Sequence, residues 1–219
     1  MTNVRLVFSK SDRAKYISHL DLMRCVLRAL KRAKIPLWYT EGFNPHAYVM
    51  FSLPLSLGLS STCEIMDIKL VEDMPFDELI LRLNKALPEG IRILSAAEPV
   101  LKHTEIGTAE YFVSLTASCQ TAILKQKFDE FINLEKIETE KLNKKKILVT
   151  IDIKPYIDIK KIDECEGKLE ITLELPAGIP VNINANVVFD TFQKYSALEI
   201  MNFSIERTKI LDTNGKLFS

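Results

Sequence analysis

Apolar side chains recur at two different periods along this chain, and the switches between them mark its elements. Val4 to Phe8 alternates and is rich in β-formers, which predicts a strand, and the charged run Lys10 to Lys15 predicts a turn. From Ser18 the period becomes helical, with Leu22, Met23, Val26, Leu27, Leu30 and Ala33 on one face. Ser18 with Asp21 three residues on resembles a capping box, with Asp in place of the usual Glu. Pro36 ends the helix, because the residue before a proline is pushed out of the α region. A polar loop, Thr40 to His46, leads into a strand at Tyr48 to Leu53. Pro54 and Gly58 mark a turn, and Thr62 to Val71 is a further strand. Leu79, Ile80, Leu83 and Leu87 predict a second helix with Pro75 near its first turn, stopped by Pro88-Glu89-Gly90, and Ile91 to Ala96 follows as a strand.

The order strand, helix, strand, strand, helix, strand is that of a ferredoxin-like unit. Lys102 to Thr108 is polar and contains Gly107, which places a boundary there. Beyond it the order repeats: strand Tyr111 to Thr116, helix Gln120 to Leu134, strand Ile147 to Ile153 in a Lys-rich surround, with an extension toward Ile159. Strand Lys168 to Leu175, helix Asn184 to Tyr195 and strand Met201 to Leu211 complete it. The expected fold is α+β: two tandem ferredoxin-like (βαββαβ) units with antiparallel sheets, over residues 1–103 and 104–219.

Composition narrows the classes. An apolar share of 47% in 219 residues supports a packed core. No apolar run reaches the ~20 residues that span a bilayer. No apolar stretch follows the first charge near the N-terminus, so neither a leader nor a membrane role is expected and the cytoplasm is the expected compartment. Cys25, Cys63, Cys119 and Cys165 stand singly, which suits reduced thiols and offers no C-x-x-C metal pair. No Walker loop, dinucleotide fingerprint or nucleophile elbow occurs, so neither a cofactor nor a metal is expected.

Charge changes the picture more. Residues 1–50 hold nine Lys or Arg against Asp12, Asp21 and Glu41, whereas the whole chain has 29 of each sign. The N-terminal segment is therefore basic and the remainder acidic, which suggests an anionic partner for the former or a plain solvated face. Arg24, Arg28 and Lys31 share one helix flank with Arg32 beside them, and Lys10, Arg13 and Lys15 precede it. Such a row can neutralise backbone phosphates, so Arg13, Lys15, Arg24, Arg28, Lys31 and Arg32 are the candidate nucleic-acid contacts.

Polar residues at the helix ends suggest a second chemistry. His19, Asp21 and His46 are candidate catalytic groups, since a histidine pair can serve as acid and base in RNA cleavage with Asp21 or Glu41 assisting. Helix length separates the helix start from the loop Glu41, Gly42, Phe43, Asn44 and His46, so a shared site requires the loop to fold back. Trp38 is expected to pack in the core, and no aromatic RNA-binding signature accompanies it.

These residues also form a recognisable string. Ser18-His19-Leu20-Asp21, the arginines Arg24, Arg28 and Arg32, Gly42-Phe43-Asn44-Pro45-His46, and Pro54-Leu55 with Gly58 resemble the pattern of the bacterial radical-SAM-linked protein family, a domain of unknown function. The resemblance is strong over residues 4–72 and extends to the second half only in layout. Glu41 stands where glutamine is more usual and Ala47 where proline often follows, and a carboxylate at Glu41 would repel an anion. The resemblance implies association with a B12-binding radical SAM protein encoded or fused nearby, in a setting of ribosomal and ribonuclease genes. The chain lacks cluster-binding cysteines of its own, so an accessory role is implied. Three functions remain: an RNA-binding module serving that partner, a protein-interaction scaffold for it, or an endoribonuclease using His19 and His46.

Overall fold

The computed structural model describes residues 1–142 and 148–219. The chain forms two compact units, one of Met1–Ile106 with Arg207–Ser219 and the other of Gly107–Glu206. The fold is mixed α+β, with mostly antiparallel sheet and, among the described residues, four α-helices.

In the first unit the elements run β1 (Thr2–Lys10), α1 (His19–Arg32), β2 (Val49–Phe51), β3 (Ser60–Leu70), α2 (Phe76–Ala86) and β4 (Ile91–Ala97). A 3-10 turn, Asp12–Tyr16, lies between β1 and α1. The strand order is β4-β1-β3, with β2 pairing Met66–Ile68 of β3. Val4 and Leu6 stand opposite Ile68 and Met66, and together with Phe8 they meet Leu22, Val26 and Leu30 of α1 and Leu79 and Leu83 of α2. Each of these buried side chains stabilises the unit by about 1.5–3 kcal/mol. The helical period read in the sequence is thus the core-facing stripe of α1.

The end of α1 is a left-handed cap. Lys34 has φ +51, the Lys34 N–H donates to the Lys31 carbonyl at 3.1 Å, and the Ile35 N–H donates to the Leu30 carbonyl at 3.1 Å. The helix therefore stops at Arg32, four residues before Pro36.

Lys10 differs most from expectation. It belongs to β1, opposite Ser61, and is buried, with its ammonium donating to the Ile17 carbonyl at 3.1 Å. Burial holds its pKa down against the attraction of Glu64, and the Arg207 cation lowers it further. A sequence reading assigns lysine to solvent, and only the pairing of distant strands supplies the counter-ion. The strand expected at Tyr48 to Leu53 is shorter, β2, and is preceded by single bridges of Leu37 to Leu70 and Tyr39 to Ala47.

The second unit contains β5 (Ile106–Ala117), α3 (Thr121–Ile132), β6 (Glu138–Leu142), β7 (Leu148–Asp152), β8 (Asp158–Cys165), β9 (Lys168–Pro176) and α4 (Ala185–Ser196). The last strand, β10 (Ile200–Asp212), enters the first unit from Arg207 onward. Here the order is β10-β5-β9-β8, and β6 and β7 form a separate hairpin. The strand expected at Ile147 to Ile153 is therefore the second arm of that hairpin, and its first residue lies outside the described residues. The strand beside β9 is β8, whose charged positions Asp158, Lys160, Lys161, Asp163 and Glu164 hide its period. As the edge of this sheet it carries its charges toward water, where Lys160 pairs with Asp158 at 2.7 Å and Glu174 at 3.0 Å. Phe128, Phe131, Phe189 and Phe192 pack α3 against α4.

Candidate nucleic-acid interface

Helix α1 begins at a built cap. The Ser18 hydroxyl donates to the Asp21 carboxylate at 2.7 Å and accepts from the Asp21 N–H at 3.2 Å. That hydroxyl, and then the Arg24 guanidinium bonded to Asp21 at 3.2 Å, hold the Asp21 carboxyl below its usual pKa.

From this cap Arg24, Arg28 and Arg32 follow at successive turns, about 6 Å apart along the axis. They line a groove of about 340 Å³ together with Asp21, Cys25 and Pro88. Arg32 is fixed at its far end, donating to the Ala86 carbonyl at 2.6 Å. Arg28 is exposed and, among the described residues, has no hydrogen bond or ion pair. Cys25 is half-buried, and burial pushes its thiol pKa up, against the pull of the Arg32 and Arg28 cations. It is a protonated, weakly polar wall of the groove and not a reactive thiolate.

The wall opposite α1 comes from the turn after α2, which the 3-10 turn holds in place. The Ser11 N–H donates to the Gly90 carbonyl at 2.8 Å. A Cβ on Gly90 would lie 2.7 Å from the Ser11 carbonyl, and its φ is +84, so the close approach and the left-handed backbone both require glycine. The remaining basic candidates stand outside the lining. Lys31 and Arg13 are exposed, and Lys15 lies with its ammonium 5.1 Å from the Tyr16 ring.

The polar loop is a closed turn of its own. The Thr40 N–H donates to the His46 carbonyl at 2.9 Å, and the His46 N–H donates to the Thr40 hydroxyl at 3.1 Å. His46 Nδ1 lies 3.0 Å from that hydroxyl and 3.1 Å from the Asn44 carbonyl. Gly42 supplies φ +126 at the tip, leaving Glu41, Phe43 and Asn44 exposed.

His19 is half-buried and packs edge-on to Phe51 at 5.2 Å, at the far end of β2. The partners recorded for the two imidazoles differ, Phe51 for His19 and Thr40 with Asn44 for His46, and among the described residues no group of three His, Cys, Asp or Glu is placed to hold a metal. Trp38 is half-buried, with the Lys69 ammonium 4.5 Å from its ring and Tyr48 edge-on at 6.3 Å. Cys25 and Pro88 were not candidates in the sequence. Cys25 was legible, since it falls between the arginines at helical spacing, whereas Pro88 arrives from another element.

No helix among the described residues is long and apolar enough to cross a membrane. Comparison with curated proteins gives no match. A chain of the solved "Crystal Structure of a Cbf5-Nop10-Gar1 Complex" is similar at 9% identity with a TM-score of 0.47, a likeness too slight to bear on fold or function. The match covers 94% of this chain and 48% of that one, so the chain spans about half the length of that neighbour. A family model fits the run that contains the cap, the arginine flank and the closed loop. Over residues 3–185 the chain matches, and it belongs to, the family described as "Uncharacterized protein conserved in bacteria (DUF2344)".

Proposed function

We propose that this protein is an accessory RNA-binding module of the cytoplasm, built from two tandem ferredoxin-like units and working with a radical SAM enzyme. The observation that carries the RNA reading is the groove itself: three guanidiniums at successive helical turns, facing one carboxylate. Guanidinium forks match phosphate oxygens bidentately, and their summed charge attracts a polyanion from solution. The strand orders β4-β1-β3 with β2, and β10-β5-β9-β8, support the ferredoxin-like reading of each unit. The partner enzyme rests on the family resemblance of the segment 18–58.

Binding to total bacterial RNA on a filter, at low salt, tests the reading. Wild type is expected to retain RNA and the double variant Arg24→Glu, Arg28→Glu to lose it. Absence of RNA retention by the wild type at low salt would sink the proposal. Co-purification of a radical SAM enzyme after nuclease treatment tests the partnership separately.

A further inference from the structure

We infer that the arginine groove recognises a terminal phosphate monoester of RNA, a dianionic chain end, in preference to the phosphodiesters along the strand. This rests on the RNA-binding reading and narrows it to one feature of the ligand.

Charge is the first reason. The lining holds the three cations Arg24, Arg28 and Arg32 against the single carboxylate of Asp21, a net of two positive charges. An internal phosphodiester brings one negative charge, whereas a phosphate monoester carries about 1.5–2 at neutral pH and three acceptor oxygens. The end group alone matches the charge of the lining.

Shape is the second reason. The row of basic side chains is short, because Lys31 and Arg13 stand outside the groove and only the three arginines line the concavity, with Pro88 from another element. A volume of about 340 Å³ is at the small-ligand end of binding sites and suits a single phosphoryl group with its sugar.

Donor supply is the third. A guanidinium has five N–H donors. Among the described residues Arg24 spends one on Asp21, Arg32 one on Ala86, and Arg28 none. Arg24 and Arg32 are pre-positioned by their bonds, so ordering on binding falls mainly on Arg28, whose donors are all free for the ligand.

The test is fluorescence anisotropy with three short RNAs of one sequence, bearing a 5′-phosphate, a 3′-phosphate or hydroxyls at both ends. One phosphorylated RNA is expected to bind about tenfold tighter than the hydroxyl-ended one, the effect of one further set of charge-assisted hydrogen bonds. Which RNA is preferred identifies the 5′ or the 3′ end as the source. The preference should weaken as pH falls through about 6, where the monoester dianion takes up one proton and becomes a monoanion. It should also vanish in Arg28→Ala, with the thermal melt unchanged, and inorganic phosphate should displace the phosphorylated RNA from the wild type. Equal binding of all three RNAs overturns the end-group inference and leaves the RNA reading standing. Binding of none overturns both.

Discussion

The Arg32 guanidinium, from the last turn of α1, donates to the carbonyl of Ala86, the last residue of α2. The relationship is returned, because Arg82 of α2 donates to the Ala33 carbonyl at 2.9 and 2.5 Å and to the Lys34 carbonyl at 2.7 Å. Each helix therefore caps the other's C-terminus with a cation, satisfying carbonyls that have no intrahelical partner. The arginine flank is held at one end by this exchange, which leaves Arg28 as its uncommitted member.

Arg82→Ala and Arg32→Ala are accordingly expected to destabilise the protein by about 1–2 kcal/mol each, the more exposed Arg32 at the lower end. Arg28→Ala should stay within about 0.5 kcal/mol of wild type. Urea denaturation of the three variants distinguishes the arginines that hold helix ends from the uncommitted Arg28, and a large loss for Arg28→Ala would contradict the assignment.

Asp21 competes with any anion for Arg24. Asp21→Asn keeps an oxygen for the Ser18 hydroxyl and removes the charge, so RNA affinity should rise about two- to fivefold, the range of an exposed ion pair. Because the Ser18 hydroxyl and then Arg24 lower the carboxyl pKa in the folded state, Asp21 adds stability above its ordinary value of 3.8. That contribution disappears as pH falls through the folded value. Thermal melts should therefore show Asp21→Asn less stable than wild type at neutral pH, with the gap closing in acid.

Arg207 donates to the Glu64 carboxylate at 2.9 and 2.6 Å and to the Leu53 carbonyl at 2.8 Å, with Lys10 buried close by. Glu64→Gln leaves buried cations without their anion and should destabilise by about 3–5 kcal/mol. Lys10→Met removes a cation whose charged form the fold disfavours, and should remain within about 1 kcal/mol of wild type. Since the folded-state pKa of Lys10 lies below its usual 10.5, the folded state binds fewer protons than the unfolded one in the alkaline range under that value. Wild type should then gain stability relative to Lys10→Met as pH rises toward 10.5. A gap that moves the other way would contradict the buried cluster.

Gly90→Ala forces a side chain into the left-handed region and against the Ser11 carbonyl. A destabilisation of about 2 kcal/mol or more is expected in a thermal melt. Because this turn carries Pro88, RNA affinity should fall as well.

The sequence makes α1 legible from its cap to the proline beyond it, because a helix registers its buried face every third or fourth residue and its ends by side-chain chemistry. The paired elements of the first unit were legible for the same reason. Three features were not. The charged edge strand β8 conceals its period, since neither face of it is a continuous apolar row. Arg5 and Asp67 stand opposite each other on β1 and β3 and pair at 2.8 Å in the interior, yet each alone reads as surface. The groove required Pro88, brought to Arg24 and Arg28 by the contact of Gly90 with Ser11 and Ala14. Local pattern records a residue's own neighbours in the chain, whereas charge pairs and concavities depend on partners from elsewhere.

The salt dependence of RNA affinity in wild type and Arg28→Glu tests the central claim most directly. With about three charges neutralised on a single strand, the wild-type association constant should fall roughly 20-fold between about 50 and 200 mM salt. Arg28→Glu should bind far more weakly at low salt and show a shallower slope. Affinity in the wild type that is indifferent to salt, or a variant that binds as well as wild type with the same slope, would contradict it.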